Sequence, residues 1–341
     1  MRKIALLTCT VICLLVILSG VECWSEIRVQ KEYSLPSVEG RFFRPRISGD
    51  WIVALQQDTQ NKTTTTLGVH CINLINNQIY TVYTGKASWP AISGTLAVWP
   101  GCSDNIDSLK GRFGKDSKLS SRLIMLDLST WSYFAPTLST RSAGYMTVSG
   151  KHVAYELGCR IYLLDAITGV NKRISDNEAI HRNPEINGDF IVWEDVENKT
   201  ESQVVCYQIS TGRQFDVTDS ASQNNRGPST DGKHIVWWGK DGVGVYDIAT
   251  RNSFNIPSGH YVDVDNGIVV YLKRTDMTHV FGTEIATGKE FQISKGAADQ
   301  GPSISNGKVI WCNKGLINCA VLDLKANDIV PLKKDTPLTK N

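Results

Sequence analysis

The stretch Pro184-Glu185-Ile186-Asn187-Gly188-Asp189-Phe190-Ile191-Val192-Trp193 carries the fold signal of this chain. At its centre, Asn187-Gly188 favours the positive φ that a two-residue hairpin turn requires. Apolar and polar residues alternate before the turn, and an aliphatic run that closes on tryptophan follows it. The stretch therefore predicts two antiparallel strands joined by a tight turn.

The same phrase occurs seven times along the chain. Each copy has a glycine that is followed by an aliphatic run, and the run closes on Trp or Tyr in every copy except the first. A period of this length indicates a repeat architecture in which each copy is one structural unit. The glycines are 35 to 56 residues apart and are Gly49, Gly94, Gly150, Gly188, Gly232, Gly267 and Gly307.

Two further strand patterns follow most copies of the phrase. One ends in an acidic residue and a turn, as in residues 161–165, and the other is short, as in residues 172–175. Four antiparallel strands in roughly 40 residues make one propeller blade. We therefore predict an all-β fold, a seven-bladed β-propeller of four-stranded antiparallel blades, with six or eight blades as the alternatives. Residues 24–341 would form this single domain.

Closure of the ring follows from the apolar faces of the blades. A four-stranded blade cannot bury either of its faces alone, whereas neighbouring blades in a ring bury both. Residues 27–35 have the pattern of an outermost strand without a blade, and residues 328–332 compete for the same place in the seventh blade. The aromatic residues expected to pack between blades, rather than to contact a ligand, are Trp99, Tyr155, Trp193, Trp237, Tyr271 and Trp311.

The N-terminus has the pattern of a secretory signal peptide. Arg2 and Lys3 precede an apolar run, and small residues near Cys23 suit cleavage after that residue. We expect residues 1–23 to be removed and the protein to be secreted or held at the cell surface, with a periplasm-type compartment also open. A retained signal anchor is the alternative, because the apolar run approaches the length needed to span a bilayer.

Six cysteines follow the predicted cleavage point, and an even number in an oxidising compartment permits disulfides. Cys312 and Cys319 flank residues 313–318, and a turn at Gly315-Leu316 would set them opposite each other on a hairpin. We therefore predict a disulfide between them, with two buried thiols as the alternative. The pairing stays open for Cys71, Cys102, Cys159 and Cys206.

Composition and motifs exclude several classes of function. The 341 residues include 36 Lys and Arg against 34 Asp and Glu, a net charge of +2, so no basic surface for nucleic acid is expected. The histidines are scattered, and phosphate-loop, dinucleotide-binding and nucleophile-elbow patterns are missing from the sequence, so we predict no catalytic residue, metal or cofactor. Two sequons, at Asn61 and Asn198, are candidate glycosylation sites.

The loops that lead into the innermost strands form the candidate binding site. They immediately precede the recurring proline, at the predicted opening of the central channel. Planar cations and aromatic rings suit the recognition of carboxylates, sugars or peptides. The residues that would make this opening basic and aromatic are Arg44, Trp89, Tyr145, Arg182, Arg226, His260 and Tyr261.

The repeated phrase, with the later patterns Asp-x-x-Thr-Gly and Gln-Ile-Ser, resembles the repeat of TolB-like propellers and of secreted archaeal surface propellers. The resemblance covers about residues 40–334 and implies a propeller whose matching residues are structural. Together with the basic, aromatic opening, it leads us to expect a monomeric, non-catalytic scaffold that binds a protein or a glycan. After signal cleavage no membrane span is expected. The alternative is a polysaccharide hydrolase or lyase with its site at the channel opening.

Overall fold

The computed structural model describes residues 27–38, 40–60, 63–101, 122–134, 143–175, 179–198, 201–218 and 224–324. Within these ranges the chain forms seven four-stranded antiparallel sheets and no helix. The predicted fold class, a seven-bladed β-propeller of four-stranded antiparallel blades, is confirmed. The predicted signal peptide, the sequon residue Asn61 and Cys102 lie outside the described residues, while Asn198 ends a strand of the fourth blade.

In each of the first six blades the chain runs from the innermost strand to the outermost. Blade 1 consists of β2 (Arg41–Ser48), β3 (Trp51–Gln60), β4 (Thr63–Asn73) and β5 (Gln78–Thr84), and blade 2 of β6 (Ala91–Ser93), β7 (Leu96–Gly101), β8 (Arg122–Asp127) and β9 (Ser132–Phe134). Blade 3 consists of β10 (Ala143–Ser149), β11 (His152–Leu157), β12 (Arg160–Asp165) and β13 (Asn171–Arg173), and blade 4 of β14 (Ile180–Asn187), β15 (Phe190–Asn198), β16 (Glu201–Gln208) and β17 (Arg213–Asp216). Blade 5 consists of β18 (Arg226–Thr230), β19 (His234–Gly239), β20 (Gly242–Asp247) and β21 (Ser253–Ile256), and blade 6 of β22 (His260–Asp265), β23 (Ile268–Arg274), β24 (Thr278–Glu284) and β25 (Lys289–Gln292).

The seventh blade combines the two ends of the propeller. It consists of β26 (Gln300–Ser305), β27 (Lys308–Asn313), β28 (Leu316–Leu322) and, on its outer edge, β1 (Val29–Ser34). β1 pairs antiparallel with β28, and Tyr33 lies opposite Cys319. Residues 27–35 and residues 328–332 were the two candidates for the outer strand of this blade, and the N-terminal segment therefore completes the ring.

The repeated phrase forms the hairpin of the two inner strands in each blade. All seven of its glycines have positive φ, between 52° and 83°, as the turn requires. In six of the seven blades, the last residue of the innermost strand, or the residue just after it, accepts a hydrogen bond from the turn of the next blade. These inter-blade bonds run from Gly94 N to Ser48 Oγ, Gly150 N to Ser93 Oγ, Gly188 N to Ser149 Oγ, Gly267 N to Asp231 Oδ2, Asn306 N to Asp265 Oδ2 and, across the closure, Gly49 N to Ser305 Oγ.

The aromatic residues that close the phrases pack between blades, as predicted. Trp193 of blade 4 is fully buried and lies in one cluster with Ala154 and Ile161 of blade 3. Trp311 of blade 7 packs in the same way on Val270 of blade 6. Each blade therefore buries its apolar faces against its neighbours, which is the main source of stability of such a ring.

The hairpin that carries Cys312 and Cys319 turns one residue earlier than predicted. Its turn is Lys314-Gly315, so Cys312 lies opposite Ile317 and Cys319 opposite Ile310. The expected turn at Gly315-Leu316 is therefore wrong, and the predicted disulfide is not formed: both residues are buried free thiols. Burial raises the pKa of both thiols, which keeps them protonated. The other free cysteines among the described residues are Cys71, Cys159 and Cys206.

Asp265, one of the inter-blade acceptors, should make the stability of the ring depend on pH. Burial, together with the neighbouring Asp263 and Asp231, raises the pKa of Asp265 to about 6. The native state then binds this proton more tightly than the unfolded chain does. Its contribution to stability is present below about pH 4 and is lost as the pH rises through about 6.

An Asp265→Asn variant has no such proton to lose and keeps an oxygen that can accept from the Asn306 N–H. Between about pH 4 and pH 7 it should lose about 2 kcal/mol less stability than the parent protein. Urea unfolding at several pH values measures this difference. Parallel stability curves for the two proteins would show that Asp265 does not titrate in the native state as described.

Candidate functional site

Each innermost strand is irregular around the residue that precedes the recurring proline. In six blades the register between the two inner strands shifts there, as in a β-bulge. Four residues at this position are not glycine and still adopt positive φ: Arg44, Trp89, Asn183 and Tyr261. A bulge turns side chains out of the regular alternation of a strand, and here the turned residues line the ring axis.

These positions surround one cavity at the axis, which we call the mouth. Its volume is about 580 Å³, and all seven blades contribute to its wall. Arginine, aromatic and carboxylate side chains line it, a mixture typical of ligand sites. The charged, polar and aromatic lining residues are Phe43, Arg44, Arg46, Trp89, Tyr145, Arg182, Asn183, Glu185, Glu194, Arg226, Trp238, Tyr261, Asp299 and Gln300.

The structure brings six of the seven predicted site residues together in the mouth. They are Arg44, Trp89, Tyr145, Arg182, Arg226 and Tyr261. The seventh, His260, lies behind Tyr261, with 5.3 Å between the two ring centroids, and is not part of the wall. Burial lowers the pKa of His260, so its imidazole is neutral at neutral pH.

Among the described residues, the guanidinium of Arg44 has no carboxylate partner. Its guanidinium lies over the Trp89 ring, with 3.0 Å from Cζ to the ring centroid, and Trp89 packs on Tyr145 at 4.7 Å between centroids. Burial lowers the pKa of Arg44 to about 10, which leaves it charged at neutral pH. Across the described ranges no carboxylate or carbonyl pairs with this guanidinium; only the backbone N–H of Arg44 donates, to Gln300 Oε1. A partly buried, unpaired cation favours an anionic ligand.

A second cluster, of one arginine and two aromatic residues, lies on the wall formed by blades 5 and 6. The guanidinium of Arg226 lies 6.0 Å from the Trp238 ring centroid, and Trp238 packs on Tyr261 at 5.5 Å. Arg226 Nε donates to Asn224 Oδ1, which is neutral, and no carboxylate of the described chain contacts it. Tyr261 is 55% exposed, so one face of this group is open to a ligand.

Arg182 differs from these two arginines because its charge is neutralised. Its Nε donates to Glu194 Oε2 at 2.7 Å, directly across the two inner strands of blade 4. Glu194 Oε1 also accepts from the Asn183 amide and from the Gly227 N–H of the next blade. A Cβ at Gly227 would lie 2.7 Å from the Trp238 indole nitrogen, so glycine is needed at this close approach.

A polar network of hydrogen-bonded side chains lies in the wall of the mouth. Glu185 Oε1 accepts hydrogen bonds from Arg46 Nη2 at 2.7 Å and from the Tyr145 hydroxyl at 2.6 Å, and Glu185 Oε2 accepts from Thr147. Burial by itself would lower the pKa of Arg46, but Glu185 and Tyr145 raise it above its usual range. Burial and Glu185 also raise the pKa of Tyr145, so the phenol is protonated. The network joins blades 1, 3 and 4 across the channel.

Arg46, Glu185 and Trp238 belong to the mouth but were not predicted from the sequence. Arg46 and Glu185 occupy the position after the recurring proline, where a polar residue lies between two buried ones and so faces the channel. That alternation is readable in the sequence. Trp238 follows the buried Trp237 on the same strand and therefore lies on the opposite face. Asp263 takes the position of Glu185 in blade 6 and accepts from Ser229.

The described part of the chain offers neither a metal site nor a membrane-spanning helix. No three His, Cys, Asp or Glu side chains there are grouped so that they could hold a metal ion. None of the described segments is a helix with the length and apolar character needed to cross a bilayer. The expected absence of a cofactor stays a prediction.

The chain matches no protein-family model and no curated protein. Solved structures similar to it include a propeller domain and peptidases. The β-propeller domain of the Trilobed protease from Pyrococcus furiosus is 14% identical, with 80% of this chain and 90% of that chain covered and a TM-score of 0.58. The Pyrococcus horikoshii acylaminoacyl peptidase is 12% identical, with a TM-score of 0.58, and the match covers 80% of this chain but 48% of the peptidase.

TolB from Acinetobacter baumannii is also similar, at 14% identity over 80% of each chain with a TM-score of 0.44. The two Pyrococcus similarities, at 14% and 12% identity, support the propeller fold alone. A TolB and peptidase propellers are thus among the structural neighbours, while the resemblance to secreted archaeal surface propellers stays a prediction.

Proposed function

We propose that this protein is a non-catalytic binding scaffold that holds a carboxylate-bearing peptide or glycan in its mouth. One observation supports this above the others: the charged, partly buried Arg44 guanidinium lies in the wall of the cavity without an anion. A carboxylate of the ligand would supply the missing partner. Arginine binds carboxylates with two parallel hydrogen bonds, which fixes the orientation of the ligand as well as its charge.

The aromatic groups on the two walls support the same proposal. Trp89 beneath Arg44, and Trp238 with Tyr261 beside Arg226, offer flat apolar faces next to the two arginines that no described carboxylate contacts. A peptide side chain or a sugar ring can pack on such a face while its carboxylate meets the arginine.

The N-terminal pattern supports a location outside the cytoplasm for this binding. We propose that residues 1–23 direct secretion and that the ring acts as a monomer in an extracellular, cell-surface or periplasm-type compartment. N-terminal sequencing of the protein recovered from the medium or the envelope of an expressing cell tests this. The proposal requires a mature chain that begins near Trp24.

Binding of two acidic probes tests the proposed function. Isothermal titration of the full-length mature chain with hexaglutamate and with a galacturonate hexasaccharide separates the peptide source from the glycan source of the carboxylate. We expect one probe to bind and Arg44→Ala to weaken it about 10- to 100-fold, because a charge-assisted hydrogen bond is lost. Arg213→Ala is the matched control, since Arg213 is exposed on the outermost strand of blade 4. Failure of both probes, or equal affinity of the Arg44→Ala variant, would refute the proposal.

The second candidate function is a polysaccharide hydrolase or lyase. A specific contact favours it: the Tyr145 phenol donates to the Glu185 carboxylate beside Arg46 inside the cavity. A protonated phenol in such a pair could serve as a general acid. Incubation with polygalacturonate would then release reducing ends or unsaturated products, and Tyr145→Phe would abolish both. A complete lack of products from the parent protein that nevertheless binds the polymer supports the non-catalytic scaffold.

A further inference from the structure

A second group of aromatic residues lies on the face opposite the mouth. Trp51 begins the second strand of blade 1, just after the turn where the innermost strand ends, and Tyr80 lies near the start of the outermost strand of that blade. Trp131 lies in the turn before the outermost strand of blade 2. The Trp131 ring centroid is 4.9 Å from that of Tyr80 and 6.2 Å from that of Trp51. We call these three residues the aromatic platform.

Trp131 occupies a backbone position where four of the five other blades described there have glycine or asparagine. Its φ is +55°, in the left-handed region that disfavours bulky side chains. In blades 1, 3, 4, 5 and 6 the same turn position, four residues after the end of the third strand, holds residues with φ between 55° and 71°: Asn77, Gly169, Gly212, Arg251 and Gly288. A tryptophan is therefore kept here against the local backbone preference, a kind of strain that concentrates at ligand sites.

The platform is open to solvent and bordered by amide groups. Trp131 is 43% exposed and the neighbouring Ile75 is 76% exposed. The Tyr80 hydroxyl donates to Gln78 Oε1 at 2.6 Å, and the Asn76 amide contacts both residues at 3.4 Å. All of these contacts are on the surface, so the amides can exchange them for hydrogen bonds to a ligand.

We propose that the aromatic platform binds a neutral saccharide, at a site separate from the mouth. The C–H face of a sugar ring is apolar and packs on indole and phenol rings, while its hydroxyls pair with amide groups such as Asn76 and Gln78. The platform contacts involve rings and uncharged amides, in contrast to the unpaired arginines of the mouth. The chemistry of the two sites therefore selects a neutral ligand on one face and an acidic ligand on the other.

Replacing Trp131 tests this site. The replacements, glycine and asparagine, are residues that other blades of this chain have at the same turn position. Isothermal titration of the mature protein would use four neutral hexasaccharides: cellohexaose, laminarihexaose, mannohexaose and chitohexaose. We expect at least one to bind, and Trp131→Gly and Trp131→Asn each to weaken it by about tenfold or more. Because both replacements relieve the strain at φ +55°, the midpoint of thermal unfolding should change by no more than about 3 °C.

Arg44→Ala is the matched control for the mouth and should bind the neutral saccharide with unchanged affinity. That result would show that the aromatic platform binds its ligand whether or not the mouth binds an acidic one. Three outcomes would overturn the proposal: none of the four hexasaccharides binds, both Trp131 variants bind as well as the parent protein, or both unfold at much lower temperature. The last outcome would assign Trp131 to packing between blades 1 and 2.

Discussion

Replacing Trp193 with alanine should lower the free energy of unfolding by about 4 kcal/mol. Trp193 is fully buried between blades 3 and 4, and its removal leaves a cavity that rigid strands on both sides cannot fill. Its indole N–H also donates to His181 Nδ1 at 3.2 Å, so the variant loses a buried hydrogen bond as well. Guanidinium unfolding followed by circular dichroism measures the change.

Two further variants serve as controls for the Trp193→Ala measurement. Trp193→Phe keeps most of the ring volume and should cost about half as much. Phe254→Ala removes an aromatic residue that is 43% exposed on the outermost strand of blade 5, and should cost less than about 1 kcal/mol. If Trp193→Ala were as mild as Phe254→Ala, the closing aromatic of the repeat would not be a core residue.

Removal of β1 should be the most damaging change to the closure of the ring. A chain that begins at Pro36 lacks the strand that pairs with β28 and also lacks Leu35, which is 5% exposed in the core between blades 7 and 1. Lost apolar burial and backbone hydrogen bonds together predict a loss on the order of 4 kcal/mol. The uncovered edge of β28 should also promote self-association, which size-exclusion chromatography detects.

A chain that ends after Leu324 is the matched control for the β1 deletion. It removes residues 328–332, the segment that competes for the edge of the seventh blade by sequence alone, and leaves β1 in place. We expect the stability of this chain to match that of the full chain. The opposite pattern, in which the C-terminal deletion destabilises and the β1 deletion does not, would contradict the observed closure.

The fold was predictable because the sequence of each blade contains the signals for its own turns and strands. The glycine after Asn187 requires a turn, the alternation requires strands, and seven copies require a ring. The inter-blade hydrogen bonds were not predictable in the same way. Ser48 looks like an ordinary turn residue, and its second role depends on Gly94, which lies in another blade. Such a contact exists only after the blades are assembled.

The position of the candidate site could be predicted from the sequence, but which of its arginines is neutralised could not. Arg44 directly precedes the recurring proline and Arg182 lies two residues before it, and nothing else in the sequence shows that only one of them is neutralised. In the structure Glu194 lies directly across from Arg182 and neutralises it, whereas apolar residues such as Leu55 lie across from Phe43, next to Arg44. The register of the bulged hairpin, which the sequence does not specify, decides which arginine stays free for a ligand.

The cysteine hairpin shows how much a small register difference matters. Moving the turn by one residue, from Gly315-Leu316 to Lys314-Gly315, changes every cross-strand pair and separates Cys312 from Cys319. Positive φ at both Lys314 and Gly315 fits the twist of a two-residue hairpin. The turn geometry therefore overrides the pairing that the cysteine spacing favoured.

A crystal structure of the mature protein with whichever acidic probe binds, hexaglutamate or the galacturonate hexasaccharide, is the decisive test of ligand binding in the mouth. We expect ligand density in the mouth, with a carboxylate within hydrogen-bond distance of the Arg44 guanidinium and a ring or side chain packed on Trp89. Density for the probe on the outside of the ring, with the Arg44 guanidinium still unpaired, would contradict the proposed function.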